Sequence, residues 1–583
     1  MASKLVTFPY IFLFLLILSF FSHVLAINST TLNTNASHEA ICNSTPYPAD
    51  CRATLPLNQS GTIHDYSRFF IKTSLKIANQ FLSVLNSFLK NRRPPLPEPT
   101  IRALQDCHLL TDLTLETLSK TYQSINSTNT LDFFEADDLQ TLLSAALTNQ
   151  ETCLDGLQEV TSAASVRNAL LAPLSNGTRL YSISLALFKH GWVDKDDDDD
   201  DDDDDIVLPS TTRRKMLRRT ADPGGVLVSQ MMVVDKNGTG NFTTISEAVN
   251  AAPNNTVNGR SNSTTYYGIY VVRGVYEEYV SIPSNKRNLM LIGDGINQTV
   301  ITGNRSVVDG WTTFNSATFA VAGQGFVAIN ITFRNTAGAI KHQAVALRNN
   351  ADLSAFHGCS FEGYQDTLYT HSLRQFYRDC DIYGTIDFIF GNAAVVIQNC
   401  NIYPRLPLRN QFNAITAQGR TDPNQNTGTS IHNCNVRAAS DLATSNGTTR
   451  TYLGRPWQKY SRTVYMQSYM DSVIDPAGWR EWSGNFALST LYYAEFNNSG
   501  PGSNTSSRVT WPGYRVISVT DAVNFTVSNF LVGDAWLTAI PARGISRLWY
   551  IFGLQNNDSE FLQDLRHHLY PELAAPHYGF YKL

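Results

Sequence analysis

The chain has 583 residues, 43% of them hydrophobic and 16% charged, with a formal net charge of −5. It is too long for one ordinary domain and long enough for two or three. Beyond its first thirty positions no run approaches the roughly 18 uninterrupted apolar residues of a membrane span, so an integral membrane class is excluded for the body of the chain.

The chain opens on a secretory signal, expected over 1–26. Lys4 supplies the positive start, "YIFLFLLILSFF" the apolar core, and Val24, Leu25 and Ala26 a small-residue cleavage site. The run is short for an anchor and passes at once into Asn, Ser and Thr, so secretion without a stable membrane anchor is expected. An oxidising destination favours pairing of the eight cysteines. No CxxC or HxxxH spacing is present, and neither a metal nor a cofactor is expected. Sequons such as Asn126, Asn241 and Asn330 fit a glycosylated secreted protein.

From 37 to 192 the apolar residues recur at three- and four-residue intervals, as in "SRFFIKTSLKIANQFLSVLNSFLK", and "NRRPPLPEP" breaks the pattern once. With Cys42, Cys51, Cys107 and Cys153 inside it, this region is predicted to be an all-α four-helix bundle carrying two disulfides. A linker is expected over 193–230. It holds ten consecutive aspartates, 196–205, which repel one another and stay solvated and extended rather than forming a calcium cage. "RRKMLRR" follows. In a secreted chain it reads as a protease site between two folded units, at Arg213, Arg214, Lys215, Met216 and Leu217, and not as a nucleic-acid contact.

Past the linker, over 231–541, helical periodicity vanishes. Short β-rich runs recur, and "AFHGCSF", "FYRDCDI", "VIQNCNI" and "SIHNCNV" are versions of one line. A period near 20 residues, with no leucine ladder and no intervening helix, predicts a right-handed parallel β-helix. Residues one repeat apart then stack about 4.8 Å apart on one face. Gln343, Gln365, Asp366 and Asp387 fall on successive rungs as a ladder of two amides and two carboxylates. Two charges about 5 Å apart at an effective dielectric near 20 cost about 3 kcal/mol, so one carboxyl keeps its proton near neutrality. One acid beside one base or nucleophile suits catalysis better than it suits structure. An arginine such as Arg455, in "TYLGRPWQKYSRT", would keep one of the pair ionised, and Trp457 would offer a flat face to a sugar ring. By contrast Asn399 and Asn433 read as a structural hydrogen-bond ladder. Cys359 and Cys380 lie one rung apart, within the separation a disulfide needs, which leaves Cys400 with Cys434. Cys380 with Cys400 is an equally spaced alternative.

The segments "GVYEE", "QAVAL", "YQDTLY", "DFIFGNA" and "YLGRPW", in that order over some three hundred residues, resemble the signature segments of plant pectin methylesterases. "CNSTPYPADC" and "SAALTNQETCLDG" make the helical region similar to the pectin methylesterase/invertase inhibitor family. The resemblance implies a carboxylic ester hydrolase that demethylesterifies cell-wall pectin through an aspartyl acyl-enzyme. Asp387 would be the nucleophile, Asp366 the proton donor and later base, Gln343 and Gln365 the oxyanion donors, and Arg455 the group that orients Asp387. Trp457 and Thr313, with Gln343 and Arg455, would contact substrate. It further implies pairing of Cys42 with Cys51 and of Cys107 with Cys153, a basic-basic-hydrophobic processing motif in "RKML", and a helical region that inhibits its own enzyme domain or assists folding and retention. The expected partners are pectin, a processing protease and separate inhibitor proteins, with no nucleic acid, and the mature form is expected to be a monomer in the plant cell wall. The slight basic surplus after Leu217 suits a polyanionic substrate. The last segment, 542–583, resembles nothing in the family and is left unassigned. A polysaccharide lyase or glycosidase, or a catalytically dead wall-binding protein, are the rival readings. An inverting glycosidase needs carboxylates about 6.5–9.5 Å apart, which adjacent rungs do not provide.

Overall fold

The computed structural model describes residues 37–56, 61–90, 95–194, 227–255, 265–445 and 447–537. The expected signal segment, the aspartate run, the basic stretch 213–217 and the C-terminal segment 542–583 lie outside the described residues.

The N-terminal region is all-helical. Two short helices, α1 (His38–Asn43) and α2 (Pro48–Thr54), are joined by the Cys42–Cys51 disulfide. Four long ones follow: α3 (Ile63–Lys90), α4 (Glu98–Ile125), α5 (Phe133–Glu159) and α6 (Ala164–Phe188). In α3 the buried Phe70, Ser74, Ala78, Phe81 and Leu85 recur at the helical spacing that the sequence shows. Each long helix packs on two others, α3 on α4 and α6, and α5 on α4 and α6, which closes a four-helix bundle. Cys107 on α4 is bonded to Cys153 on α5. In α5 every residue from 139 to 150 is buried, polar Thr141, Ser144 and Thr148 among them. A helix covered all round lies between two bodies. One face of α5 belongs to the bundle, and the other rests on the second region.

That second region is a parallel β-helix. Its described strands form three sheets of 11, 7 and 8 strands, and every pair is parallel. Register follows the sequence repeat, with Leu347, Leu368 and Ile389 as successive partners on the seven-stranded sheet. Inward-facing rings fill the coil, for example Phe356 stacked on Tyr377 at 4.8 Å. One sharp corner recurs in each coil with positive φ, at Asn330, Gly358, Asp379, Asn399 and Asn433. Gly, Asn and Asp tolerate that conformation best, which explains the "NC" and "DC" pairs of the repeat. The ladder expected of Asn399 and Asn433 is present, the Asn433 amide donating to Asn399 Oδ1 at 2.8 Å.

The pairings Cys359–Cys380 and Cys400–Cys434 are not formed. All four cysteines are buried free thiols. Each follows the corner residue and points into the core, so on successive rungs the side chains run parallel and not toward one another, against disulfide geometry. Their sulfurs bond to the backbone instead, Cys380 Sγ to the Arg378 carbonyl at 3.1 Å and Cys434 Sγ to that of Ile397 at 3.3 Å. In the opposite sense the Cys380 N–H donates to Cys400 Sγ at 3.3 Å.

Candidate active site

The outer face of the seven-stranded sheet is the floor of a cleft. Asp366 lies two residues before the strand Leu368–Thr370, and Asp387 lies in the strand Ile386–Gly391, where the register with Asn413–Gln418 is irregular. Both aspartates hold positive φ, 61° and 53°, at equivalent places in neighbouring coils. The repeat thus delivers two carboxyls to one corner, as its spacing predicts. Gln343 and Gln365 line the same cavity, half-buried, one coil apart. Arg455 follows the strand Thr451–Gly454 and reaches across Asn413–Gln418 to Asp387, with Nε to Oδ1 at 2.8 Å and Nη2 to Oδ2 at 2.6 Å. Thr313 and Trp457 also line the cavity, whose volume is about 430 Å³.

The electrostatics separate the two aspartates. Burial pushes both carboxyls up. On Asp387 the bidentate Arg455 opposes it. On Asp366 the charges of Asp387 and Glu159 add to burial, with only the more distant attraction of Arg455 against them. Burial thus raises Asp366 with only the Arg455 charge against it, whereas at Asp387 the Arg455 hydrogen bonds as well as its charge favour the ionised form. The arrangement can present a nucleophilic carboxylate, a neutral acid and two amide donors to one carbonyl.

Three groups of lining residues were not among the residues expected from the sequence. Trp482 stands at the mouth with the Arg455 guanidinium 4.1 Å from its ring centre. Tyr369 and Phe390 stack at 4.1 Å on the floor. These two are register partners, so the repeat that aligns the aspartates also aligns them, a signal available in "DTLY" and "DFIF". The third group comes from α5: Thr152, Asp155, Gly156, Gln158 and Glu159. The Glu159 carboxylate accepts from the Thr313 N–H at 3.0 Å and from its hydroxyl at 2.8 Å. Thr152 bonds His371 at 3.0 Å, Asn392 donates to Thr148 at 2.9 Å and Asn426 to Thr141 at 2.8 Å. Leu157 and Val160 share one apolar cluster with Phe314, Tyr369, Phe390 and Ala417. The bundle thus covers the cleft floor. Among the described residues no group of three or more His, Cys, Asp or Glu is placed to hold a metal ion, and no helix is long and apolar enough to cross a membrane.

Comparison with known proteins gives two family matches: the pectinesterase model over residues 231–534 and the plant invertase/pectin methylesterase inhibitor model over 36–187. Probable pectinesterase/pectinesterase inhibitor 41 of Arabidopsis thaliana is 54% identical over 546 residues, 88% of this chain and 95% of the relative. Probable pectinesterase/pectinesterase inhibitor 7 of the same plant is 53% identical over 574 residues, 90% and 98% of the two chains. The solved pectin methylesterase from carrot is 53% identical with a TM-score of 0.52, and the match covers 56% of this chain and 98% of the carrot chain.

Proposed function

This chain belongs to the pectinesterase family and carries a pectin methylesterase inhibitor domain ahead of its esterase domain, and on that footing we propose that Asp387, Asp366, Gln343, Gln365 and Arg455 hydrolyse the methyl esters of pectin. The Asp387 carboxylate attacks the C6 carbonyl carbon of a galacturonate ester. The Gln343 and Gln365 amides donate to the developing oxyanion, a contribution of about 3 kcal/mol per well-placed donor. The tetrahedral adduct collapses, the C–OCH₃ bond breaks, and the departing oxygen takes the proton of Asp366, releasing methanol and leaving an acyl-enzyme anhydride. Asp366, now the base, takes a proton from water as its oxygen attacks the anhydride. Pectate leaves, Asp387 is restored as the carboxylate, and Asp366 again holds its proton. One observation carries the assignment: the two-point Arg455–Asp387 contact beside a buried Asp366 that has no such partner. Methanol release from methyl-esterified pectin without chain shortening tests the reaction. Shortened chains, or no methanol from the β-helix domain, would sink it.

The substrate reading makes the plant cell wall the place of action and a secreted route the way there. The α5 contacts support the inhibitor domain as a block in cis, because the Thr313 donors and the apolar floor that would meet substrate are already engaged by Glu159, Leu157 and Val160. Release then requires a protease acting within 213–217, and separate inhibitor proteins would dock on the same surface. The units proposed are 37–192 for the inhibitor domain and 231–541 for the esterase, each acting as a monomer once parted.

A further inference from the structure

Asp366 and Asp387 are held in place by different means. Arg455 grips the Asp387 carboxylate directly. Among the described residues no hydrogen-bond donor meets the Asp366 carboxyl, so its place is set by the backbone that carries it. That backbone is the corner 363–366, between the strands Ser360–Glu362 and Leu368–Thr370. It ends on the positive φ of Asp366, 61°, a conformation that persists only where the surroundings fix it. Two main-chain bonds tie the corner to the next coil. The Thr385 N–H donates to the Tyr364 carbonyl at 2.9 Å, and the Asp366 N–H donates to that of Ile386 at 3.1 Å.

A further tie is a side chain from two coils away. Arg405 follows the strand Asn401–Pro404, which the strand Asp381–Gly384 separates from Ser360–Glu362. Its Nη1 donates to the Gly363 carbonyl at 3.0 Å and its Nη2 to the Tyr364 hydroxyl at 2.8 Å, with the guanidinium 4.0 Å from the Tyr364 ring centre. Its Nε stands 3.5 Å from Asp441, on the short helix Ser440–Ala443. Its own main chain is anchored, the N–H donating to the Gly384 carbonyl at 2.7 Å and the carbonyl accepting from the Asn413 amide at 2.9 Å. A planar guanidinium with donors on two adjacent residues fixes direction as well as distance, which a single ammonium does not. Arg405 does not line the cavity, and its charge is not among those that act on either aspartate. Any effect it has on the reaction therefore passes through the corner. We propose that Arg405 is a positioning residue: it locks Gly363 and Tyr364 so that the next two residues, Gln365 and Asp366, present amide and carboxyl to the ester in register with Asp387. The proposal rests on the esterase reading above.

The test has two readouts. Amide hydrogen exchange is measured on the intact chain. Methanol release from methyl-esterified pectin is measured on the β-helix half, separated after cleavage of the folded full chain within 195–226, a half that corresponds to nearly all of the carrot enzyme. Arg405→Met keeps the aliphatic stem and removes both donors. Exchange over 364–367 should quicken roughly tenfold, the loss of charge-assisted hydrogen bonds, while exchange in the strand that carries Asp387 stays unchanged. The kcat should fall roughly ten- to a hundredfold with KM within about twofold, because a displacement near 1 Å misplaces the donors without touching the binding surface. The pH–rate profile should keep its shape, since the Arg405 charge reaches neither aspartate. Arg405→Lys should recover part of the lost kcat. Tyr364→Phe should cost less than Arg405→Met and nothing more in the Arg405→Met background. Wild-type exchange over 364–367, a wild-type kcat in Arg405→Met, or a loss that only tracks the folded fraction overturns the assignment. A wild-type half that releases no methanol would instead sink the esterase reading, and the exchange result still decides whether Arg405 holds the corner.

Discussion

Asp387 and Asp366 are the same side chain in equivalent turns of neighbouring coils, and only their partners differ. Substitution should therefore affect them unequally. Asp387→Asn is expected to abolish methanol release, because an amide cannot form the acyl-enzyme. Asp366→Asn should lose roughly 10²- to 10⁴-fold, the usual worth of a positioned proton donor. Arg455→Ala should move the acid limb of the pH–rate profile upward. In the proposed mechanism Asp387 reacts as the anion; burial favours its neutral form and Arg455 is the charge that opposes burial, so without it ionisation requires a higher pH. On the same mechanism the basic limb should report Asp366, the proposed proton donor, which burial and the Asp387 charge hold well above the ordinary carboxyl range. An unchanged acid limb in Arg455→Ala would show that Asp387 is not the group it serves. Both aspartates were legible in the sequence because the repeat sets their translation along the coil. Trp482 was not, because its approach to Arg455 depends on a loop with no period.

At the scale of the element, each coil is held by its corners and its inward column. Gly391 closes the strand that carries Asp387 and Phe390, with φ at 132°, and a Cβ there would stand 2.0 Å from the Thr370 carbonyl oxygen. Gly391→Ala should destabilise the β-helix by more than about 2 kcal/mol, seen as a lowered Tm. A Tm equal to wild type would mean that this corner relaxes freely. The inward cysteines carry a separate expectation. Peptide mapping without reductant should find Cys42–Cys51 and Cys107–Cys153 linked and four thiols alkylated only after unfolding. Reductant should lower the stability of the bundle and leave that of the β-helix unchanged. A Cys359–Cys380 or Cys380–Cys400 link would contradict the parallel direction of the column.

For the whole molecule the decisive feature is the carboxyl-rich face that the bundle turns to the cleft. Asp155 is pushed up to about 7 by burial and by the charges of Glu151 and Glu159, and burial likewise raises those two. Burial carries Asp106 to about 7 as well, against Thr312 and Arg348. A carboxyl with a higher pKa docked than free binds more protons docked. Its contribution is thus fully present below its free value, near 4, and is lost as pH climbs toward 7. A chain cleaved between its domains should hold together at about pH 5 and separate more readily at about pH 7.5, with methanol release rising as the halves part. Asp155→Asn should flatten that dependence. Size-exclusion profiles identical at the two pH values would show that these groups do not govern docking.

What the sequence by itself determined is whatever repeats. Apolar residues at three and four specify the bundle helices, a line recurring near every twenty residues specifies the coil, and that translation stacks Gln343, Gln365, Asp366 and Asp387 on one face. The tertiary structure decided whatever depends on direction or on distant partners. Stacked cysteines satisfy the spacing of a disulfide, yet their side chains run parallel, so the four remain thiols. Arg455 meets Asp387 only because two strands of one sheet bring together residues far apart in the chain. The cover over the cleft is the furthest from any period. Glu159 and Thr313, or Asp106 and Asn315, meet where one domain lies on another, and such a contact is set by the shape and charge of two finished surfaces, which no local pattern records.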